Sequence, residues 1–223
     1  MPTVNSCPAL GIANALPRCV PFGLFIALLG LSSLVEEPWL IAVRSILVAA
    51  VLLWYWPRYT ELRNAAPARA VDWALAGAAG MAVFVAWTLL DHRLIGGGRS
   101  SGFTPLLADG GMDWLLALVR LAGFALVVPV MEELFWRSFL LRWIDQQDFL
   151  SYAPSQISLR AVLISSALFS LEHNQWVAGA LASLVYSALY IRSGNLWVPV
   201  AAHAVTNLAL GVWIISTGNW QFW

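Results

Sequence analysis

The chain has 223 residues, 60% of them hydrophobic and 11% charged, with mean hydropathy +0.74. Soluble domains carry roughly 25% charged residues, so this composition excludes a water-facing globular surface and implies that most of the surface meets lipid. Formal net charge is zero and all twelve basic residues are Arg, which offers nucleic acid no footing.

Hydrophobic runs separated by breakers give seven candidate spans in chain order: Val20–Val35, Trp39–Trp56, Val71–Leu90, Trp114–Leu141, Leu159–Leu171, Val177–Ile191 and Leu196–Ser216. A helical span needs about 20 apolar residues, so the first, fifth and sixth must extend into their flanks or be shielded by neighbours. Pro38, Pro57 and the Ile95–Gly98 stretch punctuate the intervals. The N-terminal run follows a Pro-containing tail without a clear Ala-x-Ala site and reads as a retained first span. Cys7 and Cys19 lie in or beside that tail and make neither a disulfide framework nor a metal knuckle. The fold class is therefore all-α, polytopic, with about seven transmembrane helices around a polar cavity. One structural domain divides into N-terminal helices and an outer loop (1–112) and a helical core (113–217).

Arginine placement orients the spans. With the N-terminus inside, Arg18, Arg58, Arg63, Arg69, Arg142, Arg160 and Arg192 fall on inner segments, and Arg93 and Arg99 on outer ones. Glu36 and Glu37 occupy the first outer turn. The bias predicts a multi-pass protein of the cell's inner (plasma) membrane with a cytoplasmic N-terminus and an outer C-terminus.

Ionisable groups inside spans cost on the order of 3 kcal/mol on insertion scales, which makes those that remain informative. The fourth span holds Arg120, Glu132, Glu133 and Arg137; the fifth ends at Glu172 and His173; the seventh holds His203 and Asn207; the second holds Arg44. Glu133 and Arg137 are four apart and share a helix face, so they read as a neutralising ion pair. Glu132 projects about 100° away. His203 and Asn207 also share a face, either as site residues or as interhelical glue. His173, one turn after Phe169, is either interfacial or part of the same cluster. Arg44 and Arg120 read as snorkelling or structural, and His92 beside Asp91 as a solvated loop residue. Helix rise puts Glu132, His173 and His203 at depths that can converge in the inner half of the membrane. Pro129, just before the glutamates, can kink the helix and free a carbonyl near the site. Gly179, Ser183 and Ser187 form a small-residue stripe that allows close helix approach. Arg142, Asp145 and Asp148 follow the fourth span and mark its predicted inner mouth.

Three motifs emerge in order on successive helices. Glu132-Glu133-Leu134-Phe135-Trp136-Arg137 reads EExxxR, Phe169 to His173 reads FxxxH, and His203 to Asn207 reads HxxxN. Together they resemble the CAAX-prenyl-protease and bacteriocin-processing family (CPBP, or Abi), over roughly Trp114–Ser216. The segment FSLEHNQW is also similar to CAAX-protease-related proteins of bacterial exosortase systems. The first three spans carry no motif. The resemblance implies an intramembrane endopeptidase that hydrolyses a peptide bond near the inner face, on a membrane-associated peptide or protein, without cofactor. Glu132 would be the base for water, oriented with His173. Glu133 would stay ionised against Arg137, and His203 and Asn207 would donate to the oxyanion.

No GxSxG or HExxH accompanies these residues. Two alternatives stay open. Two His and one Glu form a known catalytic zinc set, although Asn207 is a poor zinc ligand and a good oxyanion donor. A non-catalytic immunity or scaffold protein could use the same cluster only to bind a peptide.

Overall fold

The computed structural model describes residues 8–32, 34–35, 37–90, 102–107 and 109–223. Cys7, Glu36, Asp91 with His92, Arg93, Arg99 and the Ile95–Gly98 stretch lie outside the described residues. Among those described, seven helices of twelve residues or more form the protein, with no strand: α1 (Pro8–Ser32), α2 (Trp39–Trp54), α3 (Ala70–Leu89), α4 (Trp114–Trp143), α5 (Leu159–Ser170), α6 (Trp176–Ser193) and α7 (Trp197–Thr217). From Ile12 onward α1 is long and apolar enough to cross a bilayer, as are α3, α4 and α7; α2 and α5 are shorter apolar helices. The chain is an all-α, polytopic membrane protein.

Six spans match their expected limits within two residues, but α1 begins twelve residues before Val20. Pro17, expected in the tail, lies inside it, as does Pro21 of the expected span. Pro21 has no N–H to offer the carbonyl one turn back, at Pro17. The Tyr59 hydroxyl donates to that carbonyl at 2.8 Å. Arg18 is consequently no surface flank. It is 1% exposed and donates to Glu61 through Nε at 2.8 Å and Nη2 at 2.5 Å. The Ser138 hydroxyl on α4 donates to the same carboxylate. This knot ties α1 and the α2–α3 connection to α4.

α4 is the axis of the molecule and packs against α1, α2 and α7, while α3 and α6 both flank α7 and α5 lies on α6. One core joins α2, α4 and the start of α7 through Val48, Leu52, Met131, Leu134 and Val200. A second joins α3, α5, α6 and α7 through Val83, Phe169, Ala182, Val198 and Ala202, with Trp136 of α4 set into it. Leu, Val and Ile elsewhere on the same helices stay exposed, as lipid-facing surface requires. The small-residue stripe is buried as expected, with Gly179, Ser183 and Ser187 on the packed face of α6.

Candidate active site

α4 is not a uniform α-helix. Two π-helical segments, Gly123–Val127 and Leu134–Leu140, bracket a short α segment, Val128–Glu133. Such segments recur at functional sites because they re-aim side chains. In the first, the Val128 N–H reaches back five residues to the Gly123 carbonyl. The next bond in that register would run from residue 129 to Phe124, but Pro129 has no N–H. The Phe124 carbonyl is therefore left over, and Asn207 of α7 donates to it through Nδ2 at 2.8 Å. The freed carbonyl expected of Pro129 exists, and its role is to hold Asn207.

Glu133 and Arg137 are both fully buried, with Glu133 Oε1 3.2 Å from Arg137 Nη1. The guanidinium also lies over the rings of Phe169 (4.7 Å) and Tyr186 (5.3 Å) and donates to the Ser183 carbonyl at 3.4 Å. His203 Nδ1 donates to the same Glu133 oxygen at 2.9 Å, and its ring stacks on Tyr186 with centroids 5.0 Å apart. The Tyr186 hydroxyl donates to Thr206 at 2.7 Å, and Thr206 in turn donates to the Gly80 carbonyl of α3. Glu133 thus holds Arg137 and His203 at once, and five helices, α3 to α7, contribute to the arrangement.

Glu132 faces away from this pair, as its helical angle requires. Its Oε2 is buried without a hydrogen-bond partner and lies 3.9 Å from His203 Nε2. His173 sits in the turn between α5 and α6. Its Nδ1 donates to the Phe169 carbonyl at 2.9 Å, so Nε2 keeps its lone pair. Its ring stacks on Phe169 at 4.6 Å and meets the edge of Trp87 at 5.3 Å. Gly179 lets α6 pass close by, since a Cβ there would sit 3.3 Å from the His173 ring. The expected orienting bond between His173 and Glu132 is not formed in this geometry, and the imidazole nearest Glu132 is His203.

Glu132, His173, His203 and Asn207 all line one cavity of about 310 Å³, with Phe169, Glu172 and Tyr186. Glu133 and Arg137 stand behind its wall. Along α4, Glu132 lies eleven residues short of Trp143, about 16 Å at the helical rise. The rest of the wall runs the other way, through Phe124, Val128, Trp87, Leu210 and Gln221 to Trp223, and along α1 through Phe22, Phe25 and Leu29. Arg142, Asp145 and Asp148, expected at an inner mouth, do not line it. Arg142 is turned onto Ser138 and the rings of Phe149 and Tyr190. Asp145 accepts from the N–H and hydroxyl of Ser158 at the start of α5. No group of three His, Cys, Asp or Glu side chains among the described residues is arranged to hold a metal ion.

Sequence reasoning missed Tyr186, Thr206 and the aromatic wall of α1. Tyr186 looks like one more residue of an apolar helix, and nothing in its local pattern tells that it backs His203.

An all-α membrane protein with a carboxylate, two imidazoles and an amide around one cavity is the class defined by this fold and site. Residues 114–209, less than half of the chain, match the family described as "Type II CAAX prenyl endopeptidase Rce1-like", so over this segment the chain is similar to that family. The matched segment begins with the first residue of α4 and ends two residues past Asn207, so it contains every motif residue. No curated protein and no solved structure matches the chain.

Proposed function

We propose that this protein is a glutamate-dependent intramembrane endopeptidase acting on a membrane-associated peptide or protein. The observation that carries the reading is the convergence of Glu132, His173, His203 and Asn207, from three separate parts of the chain, on one cavity. Glu132 takes a proton from water held between its free oxygen and Nε2 of His173, and later passes it to the leaving amine. His173 serves as acceptor because Phe169 fixes the proton on Nδ1. Asn207 spends one N–H on the Phe124 carbonyl and keeps the second for the developing oxyanion. Glu133 holds the His203 ring in place, and Arg137 balances its charge. No metal enters this scheme. The finer identity of the substrate, whether prenylated peptide, sorting-system protein or bacteriocin, follows from the genes beside this one.

The test uses purified protein and an internally quenched apolar peptide. Wild type cleaves after exhaustive chelation, and Glu132→Gln does not cleave while melting at nearly the wild-type temperature. Cleavage by Glu132→Gln defeats the glutamate base and favours the peptide-binding alternative. Activity lost to chelation and restored only by zinc makes His173 and His203 ligands instead.

A further inference from the structure

Arg44 of α2 and Arg120 of α4 are not used by the chemistry above. Neither has an acidic partner among the described residues. Arg44 Nε is buried without a hydrogen-bond partner. The two guanidiniums are near enough to act on one another electrostatically, so the fold holds like charges together inside a membrane protein. The closeness is built in by packing: a Cβ at Gly123, the third residue after Arg120, would fall 2.8 Å from Cβ of Ser45, the neighbour of Arg44. Any larger residue there pushes α2 off α4 and separates the pair.

Neither arginine is itself among the residues that line the cavity, but each stacks on one that is. The Arg44 guanidinium lies over the Phe25 ring at 4.8 Å, and the Arg120 guanidinium over the Trp223 ring at 4.9 Å; Phe25 and Trp223 both line the cavity. On α4, Arg120, Phe124, Val128 and Glu132 recur every fourth residue, and the last three line the same wall. Arg120 therefore continues the row that begins at Glu132, three turns or about 18 Å away along the axis. Aromatic faces offset only part of the cost of two desolvated cations, which leaves the ground just behind this end of the cavity wall, at Phe25 and Trp223, complementary to an anion. A snorkelling arginine would instead carry its whole head outward to the headgroups, and the buried Nε of Arg44 does not.

We propose that Arg44 and Arg120 form a carboxylate-binding subsite at the end of the cavity remote from Glu132, taking the negative charge of a bound peptide about three to five residues from the bond that Glu132 addresses, at about 3.3 Å per extended residue and with the reach of the Arg side chains. The carboxylate comes from the peptide's C-terminus or from an acidic side chain near it. The inference rests on the cavity being a peptide site.

The experiment measures binding rather than turnover, in detergent-solubilised Glu132→Gln protein. Three N-acetylated, fluorophore-labelled apolar hexapeptides are compared: one with a free C-terminal carboxylate, one C-terminally amidated, and one amidated but ending in Glu. At least one carboxylate form should bind about tenfold or more tightly than the neutral amide, and which one does so names the source of the charge. Arg44→Gln or Arg120→Gln should abolish that preference while leaving the amide's affinity unchanged. Arg44→Lys and Arg120→Lys, which keep the charge and the packing, should retain part of it. Equal binding of all three peptides overturns the subsite. So does an equal loss for all three in the Gln variants, or phospholipid phosphate that copurifies with wild type and vanishes with the Gln variants, which makes the anion a lipid headgroup. If wild type cleaves nothing but the preference stands, the protease reading fails and the subsite survives; cleavage without preference gives the reverse.

Discussion

Replacing Arg137 by Gln separates the structural half of the glutamate pair from the chemical half. Both members of the Glu133–Arg137 pair are 0% exposed, so the remaining carboxylate has no water to turn to. Removing one partner of a buried pair costs about 3–5 kcal/mol, chiefly because the other charge is stranded. The same substitution removes the one cation that lies over both Phe169 and Tyr186, each contact worth about 0.5–2 kcal/mol. His203 still donates to Glu133 and offsets part of the loss, so about 3–5 kcal/mol is the expected total. For a chain of this length that corresponds to a drop of roughly 6–20 °C in melting temperature. The assay is thermal unfolding of detergent-solubilised protein followed by size-exclusion fluorescence, with peptide cleavage measured alongside. Glu133→Gln combined with Arg137→Gln should recover part of the stability, because neither charge is then left alone. Glu132→Gln should melt close to wild type, since Oε2 of Glu132 has no bond to lose. Destabilisation of Glu132→Gln equal to that of Arg137→Gln refutes the division of labour and makes Glu132 part of the same charge network. A double variant that melts below both single ones refutes the buried-pair argument.

Further expectations follow from the geometry. Asn207→Ala should lower kcat by about 10²–10³ with a smaller effect on melting, and a change confined to KM counts against an oxyanion role. Burial alone would raise the Glu61 carboxyl, but the bonds and charge of Arg18 and the hydroxyl of Ser138 outweigh it and hold the group below its ordinary value of 4.5. A depressed folded-state value stabilises fully above the unfolded one and loses that contribution as pH falls. Melting temperature should therefore hold from neutral pH to about 4.5 and decline below it, and Glu61→Gln should flatten that decline; an unchanged acid limb in the variant removes Glu61 as its source. Reporter fusions after Arg63 and after Trp223 should place the first inside and the second outside, and a cytoplasmic signal from the second means the number of crossings is even.

Much of the protein was legible in the sequence because membranes impose strong local rules. Backbone groups in lipid must be satisfied within the helix, so apolar runs such as Ala70–Leu89 and Trp197–Thr217 announce themselves. The cost of a buried charge makes Glu132, Glu133, Arg137 and His203 conspicuous, and the spacing of four fixes which of them share a face. That Glu133 and Arg137 pair while Glu132 points elsewhere was contained in helical geometry alone.

What the tertiary structure decided are the contacts between helices, where no local period applies. The start of α1 was missed because the proline-containing stretch before Val20, with Pro17, read as a tail; whether a helix tolerates proline depends on a distant donor for the freed carbonyl, here Tyr59. Arg18 looked like a surface charge until Glu61, 43 residues away, came to meet it. The choice of His203 over His173 as the neighbour of Glu132, the backing of His203 by Tyr186, and the capture of Asn207 by Phe124 all depend on which faces of α4, α6 and α7 are pressed together. Sequence spacing sets the direction of a side chain about its own helix axis, and only packing sets what stands opposite.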